Sequence, residues 1–267
     1  MLIDSSAEIT LKKNWSDWVL LSLRSSKIAS LAKPGQFIMV KVSDGYYPLI
    51  RRPFSIHNIA LSKNHPTAVE IFFQVVGYGT SLLAQKKVRE RLDIVGPLGK
   101  GFSLSENLKD KKLYLIGGGR GIAPLFFLAK EIKKLEGEPI VFYGGKSKKD
   151  LPLVNQFLKE KIMVLTSTED GSYGWKGLIT HLVENNLEEE KDPIEKIFTC
   201  GPEEMMKKVA QIAKEKNIKA EFSLESIMGC GFGACWGCVV KVKKNRQECW
   251  VKTCSEGPVF SQEEIIW

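Results

Sequence analysis

The sequence predicts a multi-domain α+β protein: an antiparallel β-barrel, then an α/β domain on a parallel sheet, then a small C-terminal cysteine module. Three observations predict it. Up to about Gly101, short apolar runs are broken by turn residues; from Lys112, strand-like and amphipathic helical runs alternate; after Ala220, both periodicities fade into a glycine- and cysteine-rich tail. The boundaries expected from these shifts are 1–103, 104–220 and 221–267.

In the barrel stretch, strands are expected at 18–23, 36–42, 54–59 and 69–75, separated by Pro34-Gly35 and Ser43-Asp44-Gly45. A short helix is expected at 80–85, after the turn Gly77-Tyr78-Gly79. Beyond Lys112, strands at 113–116, 140–143, 162–165 and 197–200 alternate with helices at 124–135, 151–159, 178–185 and 203–216. That alternation is the signature of a parallel sheet.

With 43% hydrophobic and 26% charged residues, a 267-residue chain can bury a sizeable core and suits two domains or slightly more. No run approaches the about eighteen apolar residues of a membrane span, and the N-terminus MLIDSSAEITLKKNW lacks the basic start and apolar stretch of a signal peptide. A cytoplasmic protein is expected. The net charge of +8 comes from dispersed lysines whose densest groups, 146–149 and 241–246, are short. This is a solvated basic surface rather than a nucleic-acid stripe, and it is compatible with acidic partners or phosphate-bearing cofactors.

Five of the six cysteines fall between Cys230 and Cys254, a clustering that favours metal over disulfides in a reducing compartment. A tail of about forty-five residues is too small to bury a core alone, and a metal centre would supply cohesion. Cys230-x4-Cys235-x2-Cys238, with a distant fourth cysteine, is the plant-type spacing for a 2Fe-2S cluster. Glycines 229, 231, 233 and 237 let the backbone approach sulfur closely. Structural zinc also takes four thiolates, but it usually pairs two Cys-x2-Cys knuckles and only one is present. Spacing alone does not choose between Cys249 and Cys254 as the fourth ligand.

The expected strand 113–116 runs into Gly117-Gly118-Gly119-Arg120-Gly121-Ile122-Ala123-Pro124 and a helix, the order that places backbone N–H groups around a pyrophosphate. Such glycines also serve tight packing turns. Thr199-Cys200-Gly201-Pro202 closes a later strand and opens a helix at the same sheet edge. Cys200 there could face a nicotinamide or be a small buried hydrophobe. In the barrel, Arg51-Arg52-Pro53-Phe54-Ser55-Ile56 sets a guanidinium and a hydroxyl on a strand, suited to a diphosphate and a flavin edge. Gly77-Tyr78-Gly79-Thr80 adds donors at a helix start. Each element alone is weak, and their order raises them.

In that order the motifs resemble the ferredoxin reductase superfamily. Ser223-Leu224-Glu225, Met228-Gly229-Cys230-Gly231, Gly233-Ala234-Cys235, Cys238 and Cys254-Ser255-Glu256-Gly257-Pro258-Val259-Phe260 resemble electron-transfer subunits of NAD-dependent dihydroorotate dehydrogenase, class 1B, over essentially the whole chain. The resemblance implies FAD contacts at Arg52, Pro53, Phe54, Ser55, Phe72, Phe73, Gln74, Gly79 and Thr80. It implies Cys230, Cys235, Cys238 and Cys254 as cluster ligands, and an NAD site to which Gly117, Gly118, Gly119, Gly121, Cys200, Gly201 and Pro202 belong. Two departures stand out: Gln74 where the family often has arginine, and Arg120 where it more often has an apolar residue.

The implied activity is a relay in pyrimidine biosynthesis. An FMN-containing dihydroorotate dehydrogenase catalytic subunit, in a heterotetramer of two of each chain, supplies electrons that pass through the cluster and FAD to NAD+. Cofactors carry such chemistry, so no catalytic side chain is expected, and His57, His65 and His181 read as structural or surface residues. Rival readings are a reductase serving an oxygenase or a sulfide-oxidising complex, a ferredoxin:NADP+ transhydrogenase, or a redox-sensing module with vestigial nucleotide sites. The transhydrogenase often replaces one cluster cysteine with aspartate, whereas four cysteines are available here. Gly144-Gly145-Lys146-Ser147-Lys148 leaves the choice between NAD and NADP open, and the family implies NAD.

Overall fold

In the computed structural model, which describes Met1–Trp267, the chain opens with β1 (Leu2–Trp15), β2 (Trp18–Arg24), α1 (Ser26–Leu31), β3 (Phe37–Lys41), β4 (Arg52–Ser62), β5 (His65–Gln74), α2 (Tyr78–Gln85) and β6 (Arg91–Leu98). The six strands close an antiparallel barrel in the order β1-β2-β5-β4-β3-β6. The four strands expected from apolar runs are β2 to β5, and the expected helix lies in α2. Sequence reading missed the two strands that close the ring. β1 is largely polar, with register shifts between Asp4 and Ala7 against β6 and between Ile9 and Leu11 against β2, so its alternation is broken. β6 carries Gly96-Pro97 inside it, and Gly96 is required there because a Cβ would come 2.6 Å from Ile38 Cγ2.

The second half brings β7 (Lys112–Gly118), α3 (Ala123–Lys134), β8 (Glu138–Gly145), α4 (Val154–Lys159), β9 (Met163–Thr168), β10 (Trp175–Lys176), α5 (Ile179–Glu189), β11 (Ile194–Cys200), α6 (Glu203–Glu215) and β12 (Ala220–Ser223). After these come the hairpin β13 (Val239–Lys244) and β14 (Gln247–Lys252), α7 (Thr253–Glu256) and β15 (Val259–Ser261). A seven-stranded sheet runs β10-β9-β8-β7-β11-β12-β15. Its core holds Tyr114, Phe142, Ile197, Val209 and Phe222, supplied by strand faces and by the apolar stripes of α5 and α6. No helix is long and apolar enough to cross a membrane.

The chain divides into two compact units, one of Met1–Gly101, Glu225–Val242 and Glu248–Val259, the other of Phe102–Leu224, Lys243–Gln247 and Phe260–Trp267. Two details differ from the tripartite expectation. The 220/221 boundary falls inside β12, which pairs in parallel with β11 from Ile197↔Ala220 to Cys200↔Ser223. The cysteine segment groups with the barrel, because Met228, Cys238 and Cys254 bury against Phe37, Met39, Val95 and Leu98. Barrel side chains thus supply the apolar contact that the tail cannot supply to itself.

Phe142 is fully buried, with its ring centroid 4.8 Å from that of Tyr114. Phe142→Ala should lower stability by about 3–5 kcal/mol in urea unfolding, as expected for a large aromatic removed from a packed core; a loss below about 1 kcal/mol would contradict this packing.

Candidate functional site

Positive φ at Gly231 (84°) and Gly233 (88°) turns the cysteine loop tightly. A Cβ on Gly231 would strike Met39, so glycine lets the loop settle on β3. Cys238 and Cys254 are buried, Cys230 is half-buried and Cys235 is exposed. The Cys254 N–H donates to Cys238 Sγ at 3.4 Å, and the Gly237 N–H donates to Cys235 Sγ at 3.4 Å. Burial tends to raise the Cys230 pKa, but N–H groups of Cys235, Phe232 and Ala234, together with the Cys235 thiol, outweigh it and bring it down to about 6. Burial, then the hydrogen bond and charge of Cys238, push Cys254 up to about 12.

Cys230 and Cys235 thus act on each other, Cys238 acts on Cys254, and Cys230 also acts electrostatically on Cys254. A two-iron cluster takes two thiolates on each iron, and four thiols, three of them on one glycine-rich loop and the fourth on the arm that follows, fit that donor set. Cys249 stands on β14.

In the parallel sheet, the order reverses between β7 and β11, and Cys200 is the register partner of Gly117. The carboxyl ends of these two strands flank a topological switch point, where α/β sheets receive ligands. The loop glycines divide by role. A Cβ on Gly121 would strike the Cys200 carbonyl; one on Gly118 would come 2.7 Å from Met205 Sδ; and one on Gly201, at φ 154°, would come 3.0 Å from Gly118 N. These three allow the loops to pack together. Gly119, at φ 51°, has no neighbouring atom within 4 Å of such a Cβ, so it is where a phosphate can approach backbone. Arg120 is exposed and Cys200 is buried. Sequence reading passed over Asp150, whose carboxylate accepts the Ser147 N–H at 3.0 Å and hydroxyl at 3.2 Å near the end of β8.

In the barrel, two adjacent arginines part company. Arg51 is committed to Asp93, with Nη2 at 2.6 Å from the carboxylate and Nη1 donating to the carbonyl at 2.8 Å. Arg52 donates to the Ile50 carbonyl at 2.9 Å, and a Cβ on Gly79 would come 3.1 Å from its Nε. A guanidinium thus lies at the first turn of α2, where the helix dipole already presents positive charge, an arrangement that suits an anion shared between them.

Thr80 spends its hydroxyl on the turn, accepting from the Val76 N–H (3.0 Å) and Gly77 N–H (3.1 Å) and donating to the Gly77 carbonyl (2.9 Å). Gln74 is likewise engaged, with Asp17 at 2.5 Å. Phe72 stacks on Trp18 at 5.0 Å and faces His57 at 5.6 Å, while Phe54 meets Phe73 at 5.2 Å. Pro53 and Ser55 are the β4 register partners of Met39 and Phe37. His65 and His181 are exposed.

A closed antiparallel barrel joined to a parallel sheet with a glycine-loop switch point is ferredoxin-reductase-like architecture, here extended by a cysteine-bearing segment. Comparison with known proteins bears this out. The family described as the oxidoreductase NAD-binding domain matches residues 115–211, and the iron-sulfur cluster binding domain of dihydroorotate dehydrogenase B matches 225–266. The electron transfer subunit of dihydroorotate dehydrogenase B (NAD(+)) from Desulforamulus reducens is 38% identical, covering 90% of this chain and 89% of that protein. Its counterpart from Bacillus pumilus is 36% identical, covering 92% and 91%.

Among solved structures, an NADH-dependent reduced ferredoxin-NADP oxidoreductase superposes with a TM-score of 0.81 at 29% identity, covering 99% of this chain and 91% of that one. A ferredoxin NADP+ reductase from Neisseria gonorrhoeae shares the fold at a TM-score of 0.66 and 19% identity, covering 80% and 91%. The chain belongs to the family of dihydroorotate dehydrogenase B (NAD(+)) electron transfer subunits.

Two outcomes follow from this geometry. In iron-free protein at pH 7, iodoacetamide should modify Cys230 well before Cys254, with the Cys230 rate rising as pH passes about 6, because the thiolate is the nucleophile; equal rates in mass-spectrometric mapping would refute the asymmetry. Gly121→Ala forces a Cβ onto the Cys200 carbonyl, and should cost about 1–3 kcal/mol in denaturant unfolding while weakening NADH binding. Unchanged values for both would mean the two loops are not packed as described.

Proposed function

We propose that the chain is the electron-transfer subunit of a dihydroorotate dehydrogenase, passing electrons from an FMN-containing catalytic subunit through a 2Fe-2S cluster and FAD to NAD+ in pyrimidine biosynthesis. Four thiols gathered on a glycine-rich loop and arm packed against β3 and β6, in a chain of this family, carry the reading. Cys230, Cys235, Cys238 and Cys254 would hold the cluster, two thiolates to each iron. Arg52 and the α2 turn at Gly79 grip the FAD diphosphate, and Thr80 acts by holding that turn in shape. Pro53, Phe54 and Ser55 on β4, with Phe72, Phe73 and Gln74 on β5, form the strand surface toward the flavin. Gly119 admits the NAD pyrophosphate, Gly117, Gly118, Gly121, Gly201 and Pro202 shape the crevice, and Cys200 closes its floor.

Bound in these sites, the cluster supplies one-electron steps and the flavin the exchange between one-electron and hydride transfer. The side chains bind, orient and set potential, and none acts as general acid or base. Asp150, held by Ser147 in the turn after β8, favours NAD, since a carboxylate there suits a free ribose and repels a 2′-phosphate. The assembly is a cytoplasmic heterotetramer of two copies of each chain. Likeness to the NADH-dependent reduced ferredoxin-NADP oxidoreductase favours a second reading, in which ferredoxin and NADP+ replace dihydroorotate and NAD+.

Co-purification from the native host should yield a yellow-brown complex with FAD and about two irons per chain that reduces NAD+ in the presence of dihydroorotate. Recovery of another dehydrogenase, or of ferredoxin-dependent NADP+ reduction alone, would defeat the orotate assignment; a colourless zinc protein would defeat the relay. Cys254→Ser should abolish the visible cluster spectrum while Cys249→Ser retains it, and the reverse result would reassign the fourth ligand.

A further inference from the structure

Resting on the ligand assignment proposed above, we infer that Lys252 and Trp236 form a cation clamp that raises the reduction potential of the cluster. The Lys252 ammonium lies 4.3 Å from the Trp236 ring centroid. Its stem reaches the cysteine loop at Gly233, where a Cβ would come 3.9 Å from Lys252 Cε. Trp236 sits between Cys235 and Cys238, and Lys252 stands at the end of β14 just ahead of Cys254. The clamp therefore spans the loop and the arm that carry all four thiols.

Packing and backbone geometry do not by themselves account for the tryptophan. Trp236 is 58% exposed, so little apolar burial holds it. Its φ of 57° makes it the one aromatic among the non-glycine residues with left-handed backbone, a region that bulky side chains disfavour and that glycine or asparagine would fill at less cost. What the indole gains is the cation over its face. A lysine stem in solvent would otherwise sample many rotamers, and the ring fixes its charge at the lip of the loop.

A cluster held by four thiolates carries net negative charge, and taking up one electron increases it. A fixed cation at the lip favours the more negative state, which raises the potential of this one-electron couple. Glu256 accepts the Lys252 backbone N–H at 3.3 Å, placing a carboxylate on the same arm. Both clamp residues reach solvent, so salt should screen part of the effect.

The test is a spectroelectrochemical titration of the purified full-length protein, with iron content and the electron paramagnetic resonance signal of the reduced cluster measured in parallel. Lys252→Met should lower the midpoint potential at unchanged iron content, Lys252→Arg should stay at the parent value, and Trp236→Leu should shift it the same way by less. Raising the salt should lower the parent potential and leave that of Lys252→Met nearly still. A Lys252→Met protein with full iron and an unmoved potential overturns the inference. If that variant loses iron, Trp236→Leu decides on the same criterion. Iron-free parent protein would instead overturn the ligand assignment itself.

Discussion

Contact between β3 and the cysteine loop is the constraint on which the first unit depends. Met39 can lie against the loop only because Gly231 has no side chain, and Phe37, Met39, Val95 and Leu98 then enclose Cys238 and Cys254. The same two β3 residues are register partners of Ser55 and Pro53 on β4. One strand thus packs against the thiols along its own length and pairs across its ladder with the stretch of β4 that bears Pro53 and Ser55. Burial explains the unequal thiols as well: Cys254 resists ionisation, whereas Cys230 is ringed by N–H donors.

Economy of charge runs through the molecule. Of Arg51 and Arg52, the first neutralises Asp93 within the barrel and the second is left at the positive end of a helix. Lys252 meets a ring face, and Thr80 closes its own turn. In each case a polar group is either fully spent on structure or set where an anion or a cluster is expected. That division is visible only in three dimensions.

Much of this was legible in the sequence, for physical reasons that differ by element. Apolar runs such as Trp18 to Leu23 and the helix-strand alternation beyond Lys112 report which face is buried, and so disclosed β2 to β5 and the parallel sheet. Periodicity is blind where bulges or a proline interrupt it, which hid β1 and β6. Cysteine spacing pointed to the loop because three of the thiols are local, while Cys254 follows a hairpin and is enclosed with Cys238 by Phe37, Met39, Val95 and Leu98, all distant in sequence. The glycine loop was recognisable as a motif, but that Gly121 and Gly201 serve loop packing while Gly119 stays open depends on Cys200 and Met205, far along the chain.

The last strand, β15, adds to the edge of the sheet beside β12, with the Gln262 N–H donating to the Ala220 carbonyl at 3.0 Å. The chain therefore leaves the second unit after Leu224, runs with the barrel to Val242, belongs to the second unit again over Lys243–Gln247, and returns to it finally at Phe260. A fragment ending before the cysteine loop would lose more than its thiols. It would expose the β12 edge, with unpaired amides open to any passing strand. The cysteine-bearing segment is thus internal to the chain, and a C-terminal truncation that removes it also removes the strand that covers β12.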